Sequence, residues 1–129
     1  MENTFTGKID YRESTSNRIE NIYDEVMNTF DADDRMLLIT EALTETEVIP
    51  DVGAAYTFVY MAKTPDIVYD QFPLIICVEL KKWGFKGYNV HWGNVRNYTW
   101  QEVVGYLHLV YPEEFEILTT IPYAKIVNK

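Results

Sequence analysis

The residues able to do chemistry in this chain are few, and their settings limit what they can do. His91 and His108 are the only histidines. They lack the i,i+4 relation that puts two ligands on one helix face, so they could share a metal only through the fold, with Asp70 or Glu102 as carboxylate partners. His91 stands in an aromatic stretch and His108 in an apolar one. A structural, hydrogen-bonded imidazole is the commoner occupant of such positions. Glu79 interrupts an apolar run, and a desolvated carboxyl can serve as a proton donor. Lys81 and Lys82 follow at once, however, and a strand emerging into water beside two ammonium groups gives the same pattern. Cys77, the one cysteine, excludes an internal disulfide and a cysteine-rich zinc site, and its apolar surroundings read as those of a small buried hydrophobe. Walker A, GxGxxG and GxSxG sequences are all missing from the chain. The expectation is a non-enzyme with no catalytic residue, no metal ligand and no cofactor.

A second constellation is basic and aromatic. Lys81, Lys82, Lys86 and Arg96 interleave with Trp83, Phe85, Tyr88 and Trp92. Such a patch can stack on and neutralise a nucleic acid, or anchor a protein interface, where aromatics and Arg are enriched. The net charge of −9 weighs against a nucleic-acid backbone as partner. Protein contact is therefore the expected role, with Trp83, Phe85, Lys86, Tyr88, Trp92 and Arg96 as interface candidates. Ile19 and Tyr23 join them from an amphipathic stretch near the beginning.

The elements that must position these residues follow from charge and periodicity. A length of 129 residues is enough for one self-sufficient core. Residues 1–48 carry twelve acids against four bases, and the remainder eight against seven. That asymmetry divides the chain into an acidic N-terminal arm with helices, 1–48, and a body, 49–129. No apolar run approaches the roughly 18 residues that cross a bilayer, so no membrane is expected. The opening MENTFTGKID has neither the basic start nor the apolar stretch of a leader, so synthesis in a reducing cytoplasm is expected.

From Ser16, a plausible N-cap, Ile19, Ile22, Tyr23, Val26, Met27 and Phe30 recur at helical spacing, and Asp31 to Asp34 open a second short helix through Met36, Leu37, Ile39 and Leu43. In the body, Tyr56, Phe58 and Tyr60 alternate with Thr57 and Val59 as a strand does. Residues 73–81 read as a central strand apolar on both faces. KKWGFKG reads as a hairpin loop in which Gly84 and Gly87 take positive φ, and YNVHW as the returning strand. Thr99 to Glu102 resembles a capping box, yet the β-branched residues behind it leave helix and strand both open for 99–111. FEILTT and PYAKIV read as late strands. The sum is a mainly β (α+β) chain: a small SH3-like β-barrel preceded by an acidic helical arm.

The stretch from Tyr56 to Trp92 carries a resemblance. An aromatic strand with Tyr60, a turn at Lys63-Thr64, then Tyr69, Asp70, Phe72, Pro73 and Leu74, then Gly84, Phe85, Gly87, Asn89, His91 and Trp92, form a Y-D-x-F-P-L … G-F-x-G-x-N-x-H pattern. It resembles that of small proteins encoded by large tailed bacteriophages, and Arg96 stands where an arginine often follows. The chain departs from the pattern after Trp92, where Gly93-Asn94 replace prolines. The resemblance brings no catalytic residues. It implies a virion structural protein of a neck, tail or baseplate layer, made in the host cytoplasm, with other virion proteins and copies of itself as partners. The alternative is a small acidic regulator or inhibitor that covers a basic protein.

Overall fold

The alternation of Tyr56, Phe58 and Tyr60 with Thr57 and Val59 places a strand at the middle of the molecule. In the computed structural model, which describes residues 17–128, β2 (Ala55–Tyr60) buries its three aromatics on one side, as a period of two requires. β1 (Thr46–Glu47) lies earlier in the chain, and β3 (Val68–Asp70), β4 (Leu74–Leu80), β5 (Gly84–Asn89), β6 (Asn94–Thr99), β7 (Val103–Val110) and β8 (Ile126–Asn128) follow. β2 pairs antiparallel with β4 and β7, and six strands form one sheet in the order β1-β7-β2-β4-β5-β6. β3 and β8 make a separate antiparallel pair.

The stretch 99–111, open in the sequence, is a one-turn 3-10 segment at Trp100–Glu102 followed by β7. Its β-branched residues prevail over the capping-box resemblance because β7 has partners on both sides. The β2–β7 register shifts between Thr57 and Val59, and Gly105, at φ 77°, supplies the left-handed residue on the longer strand there.

The mainly β, α+β class is as expected, and among the described residues no closed barrel is seen: β1 and β6 are the edges of the large sheet. Where an opposite wall would stand, helices cover one face instead. α1 (Tyr23–Met27) and α2 (Ala32–Ala42) come from the acidic front, and α3 (Pro112–Leu118) follows β7. Ile19, Val26, Met36, Ile39 and Leu43 share a buried cluster with Leu74, Val110, Leu118, Ile121 and Tyr123. A division at 48/49 thus runs through one continuous core, and the described part of the acidic front forms a wall of it. A second cluster fills the other face, with Tyr56, Phe58, Tyr60, Phe85 and Tyr98 at its heart. Phe58 meets Tyr98 edge-on at 5.4 Å, and Phe85 stacks on Tyr98 at the same distance, arrangements the ring quadrupoles favour.

Other expectations are corrected locally. FEILTT is helical, not a strand: Pro112 opens α3 at the position where its missing N–H costs nothing, and the Tyr111 N–H donates to Glu114 Oε1 at 2.9 Å. Gly84 and Gly87 lie inside β5, and the hairpin turns at residues 81–83. Among the described glycines, positive φ falls at Gly53, Gly93 and Gly105. Phe30, read as part of a helix face, is 93% exposed in the turn between α1 and α2. Helical spacing stops applying once the helix ends at Met27. Ser16 lies outside the described residues.

Candidate functional site

The Y-D-x-F-P-L … G-F-x-G-x-N-x-H motif resolves into a polar clamp. Asp70 ends β3, and its side chain is buried. Its Oδ1 accepts the backbone N–H of Phe72 at 3.0 Å and that of Lys125 at 2.9 Å, while Oδ2 accepts from Asn89 Nδ2 at 3.1 Å. Asn89, buried at the end of β5, turns its Oδ1 to the Trp92 N–H at 2.9 Å. One carboxylate and one amide thereby join β3, the start of β4, the end of β5 and the C-terminal segment. Buried polar groups matched in this way specify register, because a shift leaves them unsatisfied. Phe72 and Leu74 of the same motif enter the helix-side core.

The two glycines of the motif answer to crowding. A Cβ on Gly84 would lie 1.9 Å from the Tyr98 carbonyl oxygen, and one on Gly87 would lie 3.1 Å from Ile75 side-chain atoms. Only glycine lets the β5 backbone pass β6 this closely at position 84.

Both histidines are spent on backbone carbonyls. His91 Nε2 donates to Leu118 O at 3.3 Å, and its ring meets Tyr123 edge-on at 5.1 Å. Nδ1 is buried without a hydrogen-bond partner among the described residues. Burial pulls the His91 pKa below the ordinary value, against weaker upward pulls from the Leu118 carbonyl and Asp70. His108 Nδ1 donates to Leu43 O at 2.7 Å. Among the described residues no group of three or more His, Cys, Asp or Glu is placed to hold a metal ion. Cys77 is buried, and burial raises its thiol pKa. Glu79 pairs with Lys81 at 2.8 Å, which holds its carboxyl below the usual range. Glu102, tied to Tyr60, Thr99 and the Lys63 N–H at 2.6–2.7 Å, anchors the loop after β2. Partial burial pushes its carboxyl pKa up, but these donors outweigh it and leave the net shift downward.

The basic and aromatic candidates separate into distinct places. Phe85 is fully buried, so it belongs to the core and not to a surface; the pleat that exposes Tyr88 turns Phe85 inward. Ile19 is likewise fully buried, under the helices. Trp92 and Arg96 are half-buried, with the guanidinium 4.2 Å from the indole centroid and an Nη2 bond to Val68 O at 3.2 Å. Arg96 therefore braces β6 against β3. Tyr88 aligns across the strands with Ile76 and Val95, an apolar ladder across β4, β5 and β6. Lys86 is half-buried between Glu79 and Asn97. Tyr23 is half-buried on α1.

Trp83 remains exposed at the β4–β5 turn with 43% of its surface free, next to Lys82. The Trp100 indole holds this turn from behind: its Nε1 donates to Lys82 O at 2.9 Å and its backbone N–H to Trp83 O at 3.2 Å. Val78 and Leu80, hidden in what read as an apolar central strand, are also exposed on the outer part of β4. Only the length by which β4 outruns β2 reveals that, and the sequence does not carry it. The result is a hairpin tip, braced by Trp100, that combines the Lys82 ammonium with exposed apolar surface. Compared with protein-family models, with curated proteins and with solved structures, the chain matches none.

Proposed function

We propose that the chain is a non-enzymatic structural component of a tailed-phage virion, in a neck, tail or baseplate layer. It acts by contact with other virion proteins and with copies of itself. The observation that carries this reading is the use to which the phage-like motif is put. Asp70, Asn89, Gly84 and His91 each satisfy a backbone group or a close approach. A motif spent on register is what a packing module requires, and the aromatic-basic tip is left for contact. Quantitative mass spectrometry of purified particles tests the proposal. Peptides of this chain at a fixed ratio to a known tail or neck protein are expected; their absence from particles overturns it.

A second reading has one observation in its favour. Glu20, Asp24, Glu25, Asp34 and Glu41 are all exposed along the helical front, a surface able to cover a basic groove. On that reading the chain is an inhibitor made during infection. It would bind a basic protein with an affinity that falls steeply with salt and would be missing from particles.

A further inference from the structure

Opposite surfaces occupy opposite ends of this molecule. At one end is the β4–β5 tip, where Trp83 and Leu80 are exposed beside Lys82, and Lys82 forms no ion pair among the described residues. At the other, α1 and α3 bound an open groove of about 520 Å³. Tyr23 and Ile117 give it apolar lining, and Glu20, Asp24, Glu25 and Glu116 supply carboxylates without a base among them. The separation follows from the strands. The tip adjoins Gly84 at the start of β5, whereas His91, just past the end of β5, bonds Leu118 O in the segment that lines the groove with Ile117 and Thr120. The six residues of β5 put about 20 Å between these ends.

Resting on the reading of the chain as a contact protein, we propose that the tip of one copy seats in the α1–α3 groove of the next. Charge complementarity selects the occupant: an ammonium and an indole on a braced turn match an acidic groove with apolar lining. Because the two surfaces differ, the contact is heterologous. It leaves a free tip and a free groove on every pair, so copies add head to tail and close into a ring or continue as a filament.

Sedimentation velocity of the full chain at low and high salt tests this with two double variants, K82S/W83A at the tip and E20K/D24K in the groove. All four positions are exposed or in a turn, and thermal unfolding followed by circular dichroism checks that both variants fold. The wild type is expected to self-associate with concentration and to lose that association in high salt. Each double variant alone should lose about thirtyfold or more in association, the scale of a central interface tryptophan. Mixed in equal amounts, the two should form a 1:1 dimer that grows no further, since only one intact tip and one intact groove remain. A wild type monomeric at its highest soluble concentration in low salt overturns the proposal. So does association unaffected by either variant, or a mixture that stays monomeric. Particle composition is an independent readout: a chain present in particles but monomeric by these tests keeps the virion reading and loses this contact, and the reverse result does the opposite.

Discussion

Asp70 and Asn89 are joined side chain to side chain at 3.1 Å across nineteen residues of sequence, both buried. Between them they satisfy three backbone N–H groups, of Phe72, Lys125 and Trp92. Removing the carboxylate strands two of those donors and one amide in a desolvated place. Asp70→Ala is expected to cost about 3 kcal/mol or more in urea unfolding, and Asp70→Asn less, because Oδ1 can still accept. A loss under about 1 kcal/mol for Asp70→Ala would show that the clamp does not hold the register.

Glycine replacements should rank by what the new methyl group meets. At Gly84 the obstacle is a backbone carbonyl 1.9 Å away, which cannot turn aside. At Gly87 it is the Ile75 side chain at 3.1 Å, which can yield slightly. Gly84→Ala is expected to destabilise by more than about 3 kcal/mol and Gly87→Ala by about 1–2 kcal/mol, measured as the shift in denaturation midpoint at constant slope. Equal costs would contradict the close passage of β5 and β6.

His91 should make stability depend on pH in one direction. Its folded-state pKa is depressed by burial, so between the folded and unfolded values the unfolded chain binds more protons. The stability that the neutral ring contributes is full above about pH 6.5, the unfolded value, and is lost as pH falls through the folded one. Denaturation at pH 7 and pH 5.5 should show wild type weakening across that interval. His91→Phe, which keeps an aromatic against Tyr123, should flatten the dependence, and an unchanged slope would assign it to other groups.

Trp83 and Phe85 stand two positions apart and should behave oppositely. Phe85 is fully buried, so Phe85→Ala is expected to cost about 3–5 kcal/mol in folding. Trp83 is 43% exposed, so Trp83→Ala should cost about 1 kcal/mol or less in folding while impairing assembly. Thermal unfolding of the two variants separates the roles, and a comparable loss of stability in both would place Trp83 in the core.

What the sequence determined by itself is mostly local. The period of two in Tyr56, Phe58 and Tyr60, the acidic opening of α2, the burial of Cys77 and the Glu79–Lys81 pair all follow from neighbours a few positions away. So did the absence of a helix long and apolar enough to cross a membrane, which holds among the described residues. Tertiary structure decided the rest. Arg18 meets the buried Glu114 at 2.8 Å across ninety-six residues, tying the acidic front to α3, and no charge count along the chain contains that pairing. Helices on one face left the sheet open where a barrel was expected. The pleat sent Phe85 inward and Tyr88 outward although both belong to one aromatic run. A side chain's type sets what it can bond to, but the face it occupies depends on pairing with strands far off in sequence, and packing chooses that pairing.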